Sequence, residues 1–215
     1  MARNRSEGVV DKSRADDIVW AAAALFARQG FDRTSVREIA EVVEIASGTL
    51  FYHFETKDDL LEAIIRKGIA EGYSSMQKAL SRAPNGPLSR FRTLAEAHIE
   101  GIHGEFRDVH RVWIREWGRL SSQARARMRP EAHKYRELLE EILTELEITG
   151  HLRTEPAMMR HVLMPALNWT TSWANVTTRK ARQQLARQIC ATSLNLTISE
   201  FDELLEQETL KLAPA

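Results

Sequence analysis

The stretch ASGTLFYHF, residues 46–54, places hydroxyls at Ser47, Thr49 and Tyr52 and an imidazole at His53 around a glycine, Gly48. Such groups hydrogen-bond phosphate oxygens, contacts that hold a protein on a nucleic-acid backbone without reading its sequence. The small residues Ala46, Ser47 and Gly48 would let the segment come close to a duplex. Enzyme motifs are missing: there is no G-x-S-x-G, H-E-x-x-H or Walker-type loop. Only Glu100 and His103 have the glutamate-to-histidine spacing of a di-iron site, which needs two such pairs. The expectation is a binding protein with no catalytic residues, no metal and no cofactor.

Two short helices must position these groups. Val36, Ile39, Ala40 and Val43 recur at three- and four-residue spacing, which puts them on one buried helix face. Ser35 and Glu38 have the form of a capping box at its start. After Glu44 and Ile45, a second helix over residues 46–53 turns Leu50 and the following Phe54 inward. Helices joined by so short a turn can cross steeply and share a small core, as in a helix-turn-helix whose second helix enters the major groove. A first helix over residues 13–28 carries Ile18, Ala21, Ala22, Leu25 and Phe26 at helical spacing and ends at Gly30, with Phe31 packing back.

Over residues 15–65 the runs L-F-x-x-x-G-F-x-x-T-S-V-x-x-I-A and G-T-L-F-Y-H-F-x-x-K-x-x-L resemble the TetR family of one-component transcriptional regulators. With the residue chemistry above, the resemblance makes Thr34, Ser35, Arg37, Ala46, Ser47, Gly48, Thr49, Phe51, Tyr52, His53 and Lys57 the candidate DNA-binding set. Arg37 reaches a base edge or a phosphate, or is a solvated arginine. Lys57 begins the next helix after the N-cap Thr56, where an ammonium and a helix N-terminus together suit a phosphate. Two positions depart from the family pattern. Glu44 stands where the turn usually has glycine, and a left-handed backbone would strain it. Ala46 stands where serine is usual, so the second helix lacks a side-chain N-cap, typically about 1 kcal/mol.

The balance of 30 basic and 30 acidic residues argues against an indiscriminate nucleic-acid coat. Residues 1–66 hold more acidic than basic side chains, so any charge that meets DNA must be local. The basic tail up to Arg14 could follow a groove as an arm, or be a tail without contacts. No apolar run approaches the roughly 20 residues of a membrane span, and the first residues lack the apolar core of a signal peptide. A cytoplasmic protein with no membrane partner is expected. The single cysteine, Cys190, excludes an internal disulfide and reads as a small buried hydrophobe.

Beyond residue 57 the chain stays helical, without strand alternation or internal repeat. The helix from Lys57 runs towards Leu80, long enough to link two domains, and the APNGP stretch at residues 83–87 breaks it. Further helices are expected over residues 87–102, 109–120, 121–148, 156–175, 180–198 and 199–212. The fold class is therefore all-α: a basic arm over residues 1–13, a three-helix helix-turn-helix domain over 14–56, and a larger helical ligand-binding and dimerisation domain over 57–215.

An all-helical domain rich in Met and Trp could enclose an apolar ligand, although such stripes are also ordinary core. The resemblance favours a ligand sensor. Phe91, His98, Ile102, His110, Trp113, Trp117, Tyr135, Leu139, Met164, Asn168 and Trp169 are the candidate lining. The family also dimerises through its last two major helices, which nominates Trp169, Trp173, Leu185, Ile189 and Thr192 for a homodimer interface. Residues 110–143 and the NWTTSW run are similar to sensor domains of members governing lipid or sterol breakdown, some of which respond to acyl-coenzyme A thioesters. Arg111, Arg115, Arg119, Arg125, Arg127 and Arg129 could meet the phosphates of such a ligand, or form a solvated face. The expected partners are thus a double-stranded DNA operator, an apolar or acyl-CoA-like effector and a second copy of the chain. The alternative is a non-regulatory lipid-binding module whose helix-turn-helix is merely structural.

Overall fold

The computed structural model describes residues 4–212, and side chains over 14–212. Among the described residues ten α-helices run in chain order: α1 (Asn4–Gln29), α2 (Val36–Val42), α3 (Ser47–His53), α4 (Lys57–Leu80), α5 (Pro87–His103), α6 (Arg107–Glu116), α7 (Ser122–Ile148), α8 (Pro156–Trp173), α9 (Arg179–Ser193) and α10 (Ile198–Leu212). A 3-10 turn, Trp117–Arg119, follows α6, and no strand occurs among the described residues. The side chains of the expected basic arm, residues 1–13, lie outside those described. From Asn4 the backbone already belongs to α1, so the helix starts earlier than the expected residue 13.

The chain forms two compact units, Met1–Ile69 with Asp108–Met128, and Ala70–Arg107 with Arg129–Ala215. This differs from a division at residue 56. The helix-turn-helix unit also holds the first part of α4, most of α6, the 3-10 turn and the start of α7. Its core is Ile18, Phe26, Ile39, Leu50, Leu61 and Ile64, all nearly inaccessible to solvent. Gly30, at φ 88°, closes α1, and Phe31 folds back edge-on to Phe26 with ring centroids 5.1 Å apart.

Helix ends follow local chemistry. The capping box at α2 is formed: the Glu38 N–H donates to Ser35 Oγ at 3.1 Å, and the Ser35 N–H donates to Glu38 Oε2 at 2.7 Å. Thr56 and Asp59 make the same reciprocal pair at the start of α4. The turn after α2 is a Schellman motif. Ile45 N–H reaches Ala40 O at 2.9 Å, Glu44 N–H reaches Glu41 O at 3.2 Å, and Glu44 adopts φ 54°. The strain expected of this glutamate is therefore present, and Ala46 caps α3 without a side-chain hydrogen bond. Replacing Glu44 with glycine should raise the stability of this unit by about 1 kcal/mol, because the left-handed conformation then carries no Cβ clash. Chemical denaturation of the variant against the parent measures it, and an unchanged or lower midpoint would contradict the assignment of strain.

The second unit packs α5 against α8 and α9, with α10 against α5 and α9. Its core includes Phe91, Leu94, Ile99, Leu139, Leu143 and Leu163. Glu208 on α10 caps α5, accepting from the Leu88 and Ser89 N–H groups at 2.9 Å each. The helix expected over residues 180–198 stops at Ser193. Asn195 takes φ 58°, with its N–H on Thr192 O and the Leu196 N–H on Ala191 O, a second Schellman motif. Asparagine tolerates that conformation better than most residues.

Candidate nucleic-acid interface and effector core

One inward side chain assembles the outer face of α3. Leu50 is the buried residue of this helix, and it anchors two turns that would not persist alone. With Leu50 inward, helical spacing turns Gly48 and Tyr52 to the opposite side and Phe51 to the flank, while Ser47, three residues before Leu50, lies on its side and is half-buried. Tyr52 is 78% exposed and Phe51 48%. A Cβ added at Gly48 would meet no heavy atom within 4 Å, so backbone lies open there. The Tyr52 and His53 rings stand edge to face at 5.3 Å, side by side at the end of the helix. Ala46 and Thr49 are exposed as well.

The rest of the predicted DNA-binding set divides. Ser35 is exposed at the start of α2, with its hydroxyl engaged by Glu38. Arg37 is exposed and pairs with Glu41 at 3.1 Å, an i,i+4 contact that contributes little. Lys57 Nζ lies 4.2 Å from the centroid of the Phe31 ring, a cation–π contact at the start of α4. Thr34 corrects the expectation. It is only 1% exposed, and its Oγ1 donates to Gly30 O at 2.9 Å, so it fastens the α1–α2 turn and does not face a phosphate.

Three of the arginines offered as phosphate ligands or a solvated face are exposed, and each is engaged by a partner within the chain. Arg119 donates to Asp32 at 2.5 Å and to Glu116 at 3.2 Å, and its guanidinium stacks 4.9 Å from the Phe31 centroid. Arg127 holds Glu62 through two bonds, 3.1 and 2.6 Å, and Arg115 donates to Ala27 O at 3.4 Å. They tie residues 108–128 to α1, the α1–α2 turn and α4 within the first unit. The four-residue spacing of the arginines was visible in the sequence; their acidic partners, far along the chain, were not.

These contacts make the unit acid-sensitive. The Arg127 hydrogen bond, opposed by partial burial, holds the Glu62 carboxyl below its ordinary value, and the Ser35 N–H and hydroxyl do so for Glu38. A carboxylate whose folded pKa is depressed adds stability above its unfolded pKa, here 4.5, and loses it as pH falls through the lower folded value. Hydrogen exchange in α2 and α4 should therefore quicken below that pH, less steeply in Arg127→Gln. An equal acid response in the variant would reject Arg127 as the cause.

In the second unit, α5, α7 and α8 bring three candidates together. His98 Nε2 donates to Asn168 Oδ1 at 3.0 Å, and Nδ1 accepts from the Tyr135 hydroxyl. The assignment follows from the partners: a carbonyl oxygen only accepts, so a neutral imidazole carries its proton on Nε2. Burial pushes the pKa of Tyr135 up and keeps its hydroxyl protonated. Phe91, Ile102 and Leu139 belong to the same buried core, with Met164 packed against it. His110, Trp113 and Trp117 fall in the first unit, His110 beside Trp113 with centroids 6.1 Å apart. Trp169 does not join the core: it is 68% exposed on the outside of α8.

The predicted dimer residues also divide. Trp169 and Trp173 are exposed, at 68% and 61%, and Thr192 is exposed on α9. Leu185 is a correction: it is buried in its own unit's core, and Ile189 packs partly against it. Met158 and Val162 were missed. They extend the exposed stripe of Trp169 and Trp173 along α8 at helical spacing, a phase distinct from the buried Met159, Leu163 and Leu167.

The family model for bacterial regulatory proteins of the tetR family matches residues 18–64, and the model for the tetracyclin repressor-like C-terminal domain matches residues 84–197. The chain belongs to the TetR family. Among curated TetR-type relatives, the HTH-type transcriptional repressor KstR2 of Mycobacterium tuberculosis is 32% identical over 113 residues, 53% of this chain and 56% of that protein. The match thus spans about half the length of that relative. Among solved structures, the one described as the superantigen PfiT has TM-score 0.71 and 29% identity over 84% of this chain and 95% of that one. AibR, in complex with isovaleryl coenzyme A and operator DNA, has TM-score 0.75 and 22% identity over 83% and 97%, a likeness of fold. Among the described residues no helix is long and apolar enough to cross a membrane.

Proposed function

We propose that the chain is a ligand-controlled transcriptional repressor that binds a roughly palindromic operator as a homodimer and is released by a small, largely apolar effector. The observation that carries this reading is the outer face of α3, where Phe51 and Tyr52 stand exposed around the open backbone of Gly48 while Leu50 holds the helix to its core. Two such helices placed by a dimer would enter major grooves about one helical turn, or a multiple of it, apart. The exposed α8 stripe supplies the self-complementary apolar surface such a dimer needs. The lipid-binding module with an idle helix-turn-helix is the less favoured reading, given a repressor as relative.

The effector site is assigned to the core of the second unit, where Phe91, Ile102, Leu139 and Met164 supply apolar surface and His98, Tyr135 and Asn168 a neutral polar end. Isovaleryl coenzyme A in AibR supports an acyl-CoA-like class. For such a ligand Arg129 is the cation of the arginine run that belongs to the second unit. An effector of any class acts only by binding the DNA-free form more tightly than the DNA-bound one.

Selection of fragmented genomic DNA by the purified protein tests the reading. Enrichment of a short palindrome near a promoter is the expected result. No enrichment at low or moderate salt, with bound ligand removed, would overturn it.

A further inference from the structure

A groove of about 390 Å³ opens on the second unit between the start of α5 and the last turns of α10. Small-molecule sites run from about 300 to 1,000 Å³. Buried Leu205 and the neighbouring Pro84 give it apolar surface, which the exposed Leu210 extends, while buried Ser89 and Arg92 line it from α5. Arg92 is under-used. Its Nε, shielded from solvent, has no hydrogen-bond partner among the described residues, and its ion pair with Glu96 Oε1, at 3.5 Å, is not a hydrogen bond. A buried donor without an acceptor is costly. The side chain as a whole is 35% exposed and lines the groove, so a small rotation turns the guanidinium edge towards an acceptor there. Three carboxylates lie about this one guanidinium: Glu96 beside it, Glu206 on the groove wall, and Glu208, which caps α5 through the Leu88 and Ser89 N–H groups. An anion would meet more repulsion than attraction. Thr209 donates to Leu205 O at 2.8 Å, so its oxygen, like the Glu206 carboxylate, is left to accept. The groove thus has a donor on the α5 side, acceptors on the α10 side and apolar surface beside both, the complement of an amide that carries an apolar chain.

We propose that this groove is a second small-molecule site, distinct from the effector core, that takes a small neutral amide with an apolar tail. Arg92 leaves α5 about 120° round the helix from His98, six residues on, so the two sites lie on different sides of α5. One wall, α10, begins at Ile198, just past the match to the family's C-terminal model, residues 84–197. The site is therefore built partly from a helix that the family model does not describe, and it does not depend on the operator-binding reading.

The test uses the full-length protein with isotope-labelled leucine methyl groups, followed by nuclear magnetic resonance, and hexanamide as the probe. Saturable shifts are expected at Leu205 and Leu210, and none at Leu139 and Leu163 in the effector core. Hexanoate, the same chain ending in a carboxylate, should bind about tenfold more weakly. Arg92→Met keeps the stem and loses the donors, and should weaken hexanamide binding about tenfold, the worth of a hydrogen bond from a charged donor. Leu210→Gln alters an exposed side chain and leaves the core intact, so it decides the matter should Arg92→Met fail to fold. It should weaken binding about threefold through lost apolar contact. Unmoved groove methyls, which would leave water as the partner of Arg92, or hexanoate binding as tightly as hexanamide, would overturn the proposal. So would unchanged hexanamide affinity in both variants, or shifts confined to Leu139 and Leu163.

Discussion

Replacing Leu50 with alanine should abolish operator binding while the second unit stays folded. Leu50 is buried to 1% exposure and is the side chain that seats α3 on the core with Ile39, Ala40 and Leu61. Truncating a fully buried leucine costs about 2–5 kcal/mol, through lost transfer free energy and the cavity left behind. A two-turn helix has no reserve against that loss, since so short a segment is not stable without tertiary contacts. It also lacks a side-chain N-cap, and the turn before it carries the strained Glu44. The expected sequence of events is detachment of α3, dispersal of Gly48, Phe51, Tyr52 and His53, and loss of the surface that would meet DNA. Hydrogen exchange should show α3 and α2 opened while α5 and α9 keep their protection, and electrophoretic shift of the operator should vanish. Leu50→Met, close in volume, should cost less than about 1.5 kcal/mol and retain binding. Full operator affinity in Leu50→Ala would mean that another part of the chain holds the DNA.

The second large effect is expected on assembly. In the double variant Trp169→Ser and Trp173→Ser, dimerisation should weaken on the order of a millionfold, because a homodimer loses four interface tryptophans, each taken as a hot spot of about 2 kcal/mol. The protomer should be unharmed, because both side chains are mostly exposed and neither belongs to the core cluster. Sedimentation equilibrium would show monomer at concentrations where the parent is dimeric. Operator affinity should fall with it, because one recognition helix then binds without its partner. Leu185→Ala is the contrasting variant. Leu185 packs within its own unit, so it should lower the unfolding midpoint and leave the association constant of the folded protein alone. A double variant that remains dimeric would remove the α8 stripe as the interface.

What the sequence determined by itself was local. The 3.6-residue period set out the helices, because an apolar stripe needs only spacing to reveal it. The capping box of Ser35 and Glu38, the Thr56 cap, the bare start of α3 and the strained turn at Glu44 were also legible, since each depends on residues within a few positions of one another. The long motif around residues 15–65 and the matching second half of the chain identified the family and with it the fold. The end of α9 was misread because Leu194 and Ile198 continue the apolar spacing; the signal that overrides it is Asn195, which accepts a left-handed conformation more readily than its neighbours.

Tertiary structure decided what each face meets. Thr34 looked like a DNA contact and is a buried turn fastener, because its hydroxyl finds a carbonyl in the preceding turn. Leu185 looked like interface and is core, while Met158 and Val162, not among the interface candidates, are exposed on the same stripe as Trp169 and Trp173. One helix can carry two apolar stripes, and periodicity does not say which one the protomer keeps. The arginines of residues 111–129 could have met phosphates or water; Asp32 and Glu62, distant in sequence and adjacent in space, claimed Arg119 and Arg127 for the helix-turn-helix unit. The polar cluster of His98, Tyr135 and Asn168 likewise arises only when α5, α7 and α8 pack together. Spacing along one helix reports which residues share a face, but a partner on another helix is fixed by packing, and that is a property of the folded chain.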